Sequence, residues 1–308
     1  GRPNCSTART GRDPLSDLPT RLIEVWDRQA ADGYLLAVPG EVEVRAAPDP
    51  SAGIEFLFAW MAHRELRHDA AELAARRIID PGHDPARLFR DPRDGGRHCF
   101  LCPDNIRIAQ PGEVLIDLEF AGRGHVAGVN FAWSAPHHFT VISAEHEDQR
   151  YSERTLEVML DIHRRSGFRV TYHGAGVGAT IPHHLHYQIT TQEFPIENLE
   201  SASRYPIPVS RFTEPEPAHL AAARWIDGDP VNHDVNLLVA GAPDSPRIYL
   251  FPRDRRRARA TAKGLIGGFE AAGYFIYSEP KMRPVFELAT GLTARDVLAE
   301  IKPGAYWE

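Results

Sequence analysis

The sequence predicts an α+β fold in which two fused units, each an antiparallel sheet with flanking helices, follow a helical N-terminal extension. Three observations predict it. The first ~90 residues carry apolar side chains at near-helical spacing. Beyond them the texture changes to short apolar runs bounded by Gly, Pro, Asp and Asn, as strands are. Within that region the order strand, strand, helix, strand occurs twice, which reads as an internal duplication. The length of 308 residues allows one large domain or two fused small ones with a sizeable core. We therefore divide the chain into a polar tail (1–13) expected to be disordered, the helical extension (14–96), a first half (97–200) and a second half (201–308).

Each element has its own warrant. Leu18, Leu22, Ile23, Val25 and Trp26 form a helical stripe that Gly33 stops. Glu41 to Arg45 alternates polar and apolar, as a strand does. Ile54 to Ile78 reads as a second helical stretch, and Asp80 to Gly96, rich in Pro, Gly, Asp and Arg, as a linker. Val114–Leu118, His125–Phe131 and Phe139–Ser143 read as strands. Ser152 to Arg165 reads as a helix: Leu156, Met159 and Leu160 share a face, Arg164 and Arg165 suit its C-terminal end, and Gly167 ends it. The strand Phe168–Tyr172 leads into Gly174-Ala175-Gly176-Val177-Gly178. In the second half Val235–Ala240 and Ile248–Phe251 flank a hairpin loop, and a helical stretch runs to about Ala272. Tyr274–Tyr277 is a strand. Thr293 to Asp296 caps a last helix that Pro303-Gly304 stops.

Composition excludes several classes. The chain is 43% hydrophobic and 25% charged, an ordinary globular balance. Its 42 acids outnumber 35 bases for a net charge of -7, which argues against nucleic acid as the main partner. The basic run Arg253 to Arg257 is local and suits a solvated helix start as well as a phosphate contact. No stretch of about 18 apolar residues offers a membrane span, and the first 13 residues lack the apolar core of a signal peptide. Three cysteines, Cys5, Cys99 and Cys102, cannot build a disulfide framework, so a reducing cytoplasm is the expected setting.

The chemistry concentrates in His184-Leu185-His186-Tyr187-Gln188. On a strand, alternate side chains share a face, so His184, His186 and Gln188 would project together while Leu185, Tyr187 and Ile189 enter the core. Nucleophilic attack on phosphorus needs an atom unprotonated near neutrality, which imidazole supplies. It also needs neutral or cationic donors for the phosphate oxygens, which the Gln188 amide and glycine N–H groups supply. His186, central in the trio, is the candidate nucleophile, its other nitrogen oriented by a backbone carbonyl of the glycine segment. Cys99-Phe100-Leu101-Cys102 offers two zinc ligands and needs two more, from among His184, His137 and His138; a redox pair or two buried thiols are the other readings. Asn130, ahead of Pro136-His137-His138, suits a ribose or base contact or simply a turn.

Together these residues resemble the histidine triad superfamily in its galactose-1-phosphate uridylyltransferase branch. That branch carries Gln where the triad has its last His, as at Gln188. Asn130 to His138 with the following Phe139-Thr140-Val141-Ile142 is similar to the family's nucleotide-holding segment. Gly178 to Gln188 looks closest to GDP-hexose phosphorylases, as Arg247 to Arg253 weakly does; Leu185 stands where uridylyltransferases carry Pro, which favours the phosphorylase side. The resemblance spans about residues 97–300. It implies two fused histidine-triad-like units, the first catalytic and the second degenerate, and structural zinc on Cys99, Cys102, His138 and His184. It implies His186, Gln188 and His184 as catalytic residues, with Asn130, Gly176, Gly178 and Thr180 binding nucleotide. The implied activity is nucleotidyl transfer from a nucleoside diphosphate sugar through a nucleotidyl-histidine to phosphate or a sugar phosphate, in a possible homodimer. From charge alone, Arg253 or Lys281 would meet the acceptor; His183 receives no role. A nucleotide hydrolase of the triad type, or a non-catalytic zinc- or nucleotide-binding protein, are the alternatives.

Overall fold

A computed structural model describes residues 17–38, 40–80 and 99–304; the expected tail, Cys5 and all but the first residue of the expected linker lie outside them. The chain opens with α1 (Leu18–Ala31), β1 (Glu43–Asp49), β2 (Ile54–Trp60), a 3₁₀ turn (Ala62–His68) and α2 (Ala70–Ala75). The first half holds α3 (Pro103–Ala109), β3 (Ile116–Phe120), β4 (Arg123–Val129), β5 (Phe139–Ser143), α4 (Glu153–Ser166), β6 (Arg169–His173) and β7 (His186–Thr190). Next come β8 (Ser210–Phe212), α5 (Pro215–Gly228), β9 (His233–Ala242), β10 (Ser245–Asp254) and the two-residue strands β11 (Arg259–Ala260) and β12 (Gly264–Leu265). The chain closes with α6 (Gly268–Ala271), β13 (Tyr274–Tyr277), α7 (Arg283–Glu287) and α8 (Gly291–Glu300).

The fold is α+β around one eight-stranded antiparallel sheet of order β3-β4-β5-β7-β6-β9-β10-β8. The two halves meet edge to edge where Val170 to His173 of β6 pair with Asn236 to Val239 of β9. Helices α4 and α5 pack on the face that carries Tyr187. Helix α4 begins on a reciprocal Ser152–Thr155 capping box and ends at Gly167, whose φ of 69° needs no Cβ. The opposite face, carrying His186 and Gln188, is roofed by the Ala62–His68 turn and by residues from the 259–282 segment.

Three elements depart from the sequence reading. Ile54–Trp60 is a strand, not the start of a helix: its aromatic and aliphatic run pairs antiparallel with β1 and parallel with β13, at the other end of the chain. Such a partner is invisible to local periodicity. β13 thereby joins this three-stranded sheet rather than the large one, so within the second half only β8, β9 and β10 extend the large sheet. The expected helix up to Ala272 is helical only over Gly268–Ala271. Arg255 and Arg256 are drawn sideways to Asp234 and Asp254, and the chain folds back through β11 and β12. At the last helix Thr290 is the N-cap and Thr293 its reciprocal partner. No described helix is long and apolar enough to cross a membrane.

Helix α1 anchors the extension through Trp26, 1% exposed, whose ring meets Trp133 edge-on at 6.0 Å and His137 at 5.8 Å. The Trp133 indole donates to the Ala37 carbonyl at 3.0 Å, and His63 donates to the Trp133 carbonyl at 3.1 Å. Substituting Trp26→Ala should cost about 3–5 kcal/mol, read as a lower urea midpoint at unchanged m-value; a loss under about 1 kcal/mol would show that the extension is not docked this way.

Candidate active site

The site is built on β7. His186 and Gln188 project from one face of the sheet and Tyr187 and Ile189 from the other. Register places Ile142 of β5 beside His186, and Thr140 of β5 and Thr171 of β6 beside Gln188. His184 does not complete the row. It precedes the strand, and its ring turns toward the cysteines, so the expected trio on one face is a pair.

His186 is fixed at both ring and backbone. Its Nδ1–H donates to the His184 carbonyl at 2.8 Å, not to the glycine segment. That bond assigns the tautomer and leaves Nε2 with its lone pair. The Gln149 side chain braces the strand: its Oε1 accepts from the His186 amide at 2.8 Å, and its Nε2 donates to the His186 carbonyl at 3.0 Å and the His173 carbonyl at 2.9 Å. Burial pushes the His186 imidazole down to about 4, so it is neutral at pH 7.

A second chain of bonds orients Gln188. The Ser134 amide donates to His138 Nδ1 at 2.9 Å, so His138 Nε2–H donates to Gln188 Oε1 at 2.6 Å. Thr140 adds a second donor to that oxygen at 3.2 Å. With its oxygen doubly engaged, Gln188 presents its NH₂ as an uncharged donor. Burial, with Arg64 nearby, pushes His138 down to about 3, which secures the required neutral tautomer.

His138, expected beside the cysteines, is therefore engaged elsewhere and stands outside their cluster. Its place is taken by His146, which joins Cys99, Cys102 and His184 in a cluster whose ligand atoms all lie within 4.8 Å of one another. His184 Nδ1 stands 3.3 Å from Cys99 Sγ and 3.7 Å from Cys102 Sγ, and His146 Nδ1 stands 3.2 Å from Cys102 Sγ. His184 Nε2–H donates to the Ser143 carbonyl at 2.9 Å, which aims the Nδ1 lone pair at the sulfurs. Burial, and next Cys99, push the Cys102 thiol up to about 12 without a cation. Two soft sulfurs and two imidazoles at these separations fit a tetrahedral Cys₂His₂ zinc site.

Two cavities meet at His186. One, about 540 Å³, is polar; the other, about 340 Å³, is mostly apolar. Arg64, Arg67, Asn130, Thr180, His186 and Gln188 line both. The structure thus brings Asn130, Thr180, His186 and Gln188 to one place. Gly178 lines the polar side, where its φ of 145° and the Gly267 Cα, 2.8 Å from where a Cβ would stand, admit only glycine. Gly176 lies outside the cavities, against Arg255. Neither Arg253 nor Lys281 reaches the site. Arg253 is wholly buried, donating to the Ile266 carbonyl at 3.1 Å, and exposed Lys281 pairs with Glu279 at 2.6 Å.

The cations at the site are others. Arg64, from the Ala62–His68 turn, donates to the Ala132 carbonyl and Ser134 hydroxyl but forms no ion pair among the described residues. Burial, and next Arg67, push it down to about 9, against the opposing pull of Glu270 and Glu65. Lys263 pairs with Glu270 at 3.3 Å on the polar wall. His173, also on that wall, is pushed down to about 4 by burial. No motif marks these residues in the sequence: Arg64 and Arg67 come from the extension, Lys263 from the second half, and only the fold joins them.

Comparisons with known proteins bear on this arrangement. Residues 92–191, about a third of the chain, match the family model Domain of unknown function (DUF4922). No curated protein matches the sequence. Among solved structures the fold resembles that of the yeast Ap4A phosphorylase Apa2. Without ligand that enzyme matches at TM-score 0.62 and 13% identity over 95% of this chain and 96% of its own. Its AMP complex gives 0.61 and 12% over 93% and 96%, and its Ap4A complex 0.59 and 13% over 92% and 96%. At such identity the likeness establishes the fold.

The neutral imidazoles set an acid limit to stability. His138, His173 and His186 take up a proton near pH 6.5 when unfolded but only near or below 4 when folded. The unfolded state then binds more protons below pH 6.5, and stability falls as pH drops toward the folded values. His138→Gln should reduce the slope of unfolding free energy between pH 6 and 4 by about one proton, about 1.4 kcal/mol per pH unit. An unchanged slope in urea titrations would refute the assignment.

Proposed function

We propose that this protein is a nucleotidyltransferase of the phosphorylase type acting on a nucleoside diphosphate sugar. One observation carries the reading: the His186 imidazole, neutral and with no hydrogen bond to Nε2 among the described residues, stands where an apolar cavity and a polar cavity meet. The nucleoside occupies the apolar side and the sugar phosphate the polar side, which puts the α-phosphorus between them. His186 Nε2 attacks it, the bond from α-phosphorus to the sugar-phosphate oxygen breaks, and the electron pair leaves with the sugar phosphate. An oxygen of inorganic phosphate or another sugar phosphate then attacks the nucleotidyl-His186 and returns the imidazole unprotonated at Nε2. Gln188 and Arg64 donate to the phosphoryl oxygens as their charge builds. The carboxylates and hydroxyls of the polar wall, Glu65, Glu270, Tyr277 and Ser278, suit sugar hydroxyls better than a second nucleobase. The likeness to an Ap4A phosphorylase favours a second reading, with a dinucleotide polyphosphate as substrate. We propose in addition that Cys99, Cys102, His146 and His184 hold zinc. Zinc there supplies rigidity, since all four ligands are protein side chains.

Two measurements test this. Incubation with a panel of nucleoside diphosphate sugars, and with Ap4A, should yield a nucleotidyl adduct by mass spectrometry, and turnover should rise with added phosphate. His186→Ala should abolish the adduct and lower turnover at least about a thousandfold. Turnover indifferent to phosphate means hydrolysis, and no adduct with any donor sinks the covalent scheme. For the metal, elemental analysis should find about one zinc per chain, lost in Cys99→Ala and His146→Ala and kept in His138→Gln. Loss in His138→Gln with retention in His146→Ala would reverse the assignment.

A further inference from the structure

Behind β7, on the sheet face away from Gln188, lies a cavity of about 330 Å³ that the reaction scheme does not touch. That volume falls in the range of small-molecule sites. Buried Val158, Leu185 and Tyr187 give the cavity an apolar floor, and charged groups stand around it. Arg123 opens β4, Arg150 lies in the loop before α4, and Arg154 sits in the first turn of that helix, whose dipole adds partial positive charge. Each arginine has a carboxylate partner: Glu147 at 3.3 Å, Asp148 at 3.5 Å and Glu157 at 2.9 Å. All three guanidinium side chains are about half exposed or more, and pairs so exposed contribute little and exchange readily for a stronger anion.

His125 is a separate pointer to a ligand. It is 3% exposed and reaches the same cavity. Its Nδ1–H donates to the Arg123 carbonyl at 3.0 Å, which leaves the lone pair on Nε2, and no hydrogen bond reaches Nε2 among the described residues. Burial pushes this imidazole down, so at pH 7 it is a neutral acceptor. The Glu147 carboxylate, which already takes the Ser143 hydroxyl at 2.7 Å, has lone pairs to spare as a second acceptor. A ligand that fits has an anionic group for the arginines and hydroxyl donors for His125 and Glu147.

We propose that this cavity is a second ligand site, behind the reaction centre, and that it binds a sugar phosphate. The phosphate oxygens take the arginine donors, and sugar hydroxyls donate to His125 Nε2 and the Glu147 carboxylate. The carbon face of the sugar ring covers Leu185 and Tyr187. Inorganic phosphate leaves the buried acceptor unmet, and a free sugar leaves the arginines unused. The site adjoins the candidate nucleophile closely. Leu185 and Tyr187 flank His186 in the chain, and the Leu185 amide donates to the Glu147 carbonyl at 2.7 Å. Gln149, two residues beyond Glu147, holds both the amide and the carbonyl of His186. A sugar phosphate bound here therefore stiffens the loop and the strand that fix His186.

This site goes beyond the nucleotidyl-transfer reading, and its test needs no turnover. Glucose 1-phosphate should slow backbone hydrogen exchange over residues 123–125 and 145–158. Arg123→Gln and His125→Phe, neither of which alters a front-cavity residue, should each remove that protection. In calorimetry each should weaken glucose 1-phosphate binding behind the sheet roughly 10- to 100-fold, as expected for loss of a hydrogen bond to a charged or buried group. In the unmutated protein inorganic phosphate should bind this site at least about tenfold more weakly, and glucose should give no measurable heat. Protection confined to residues 64–67 and 263–270 places the ligand in the front cavity and overturns the proposal. Protection that persists in both variants, inorganic phosphate binding as tightly as glucose 1-phosphate, or no protection on this face overturns it as well.

Discussion

His184 works in two directions, and the site depends on it. Its ring is aimed at the cysteine pair by a bond to the Ser143 carbonyl, while its own carbonyl holds His186 Nδ1. The cluster geometry and the nucleophile's tautomer are therefore set by one residue. Any rotation of the 184 peptide moves both. Gln149 supports this arrangement from the other side, occupying the gap where β6 and β7 part toward the glycine loop. A side-chain amide there replaces the ladder bonds that diverging strands cannot make.

Burial does the electrostatic work. Imidazole in water near neutrality is partly charged, and a charged His138 would have no lone pair to accept from the Ser134 amide. The packed surroundings make the charged form costly, so neutrality and tautomer follow from the same packing. Arg64 shows the opposite case. Guanidinium keeps its charge, so Arg64, which forms no ion pair among the described residues and feels Glu270 and Glu65 only at longer range, holds a positive charge at the cavity wall.

Much of the strand and helix pattern was legible in the sequence, and for a local reason. Phe139–Ser143 and Tyr274–Tyr277 are strands with the expected bounds, and Ser152 caps the expected helix, because alternation and capping act between near neighbours. The pairing of His186 with Gln188 follows from the same two-residue period. What the sequence hid depends on partners far away. Ile54–Trp60 carries an apolar run that suits either element, and β13, more than two hundred residues on, decides it. His146 sits among acidic residues on a loop, with no spacing to mark it as a partner of Cys102. His138 looked like a ligand because its neighbourhood resembles one, yet a single backbone amide, that of Ser134, commits it to Gln188.

The loop between the two cysteines carries one more implication. Phe100 and Leu101, the residues that separate Cys99 from Cys102, are themselves walls of the apolar cavity. Whatever holds the two sulfurs in register also holds those walls. Tension on the Cys99–Cys102 loop is thereby passed to one side of the pocket and, through the ring and carbonyl of His184, to His186.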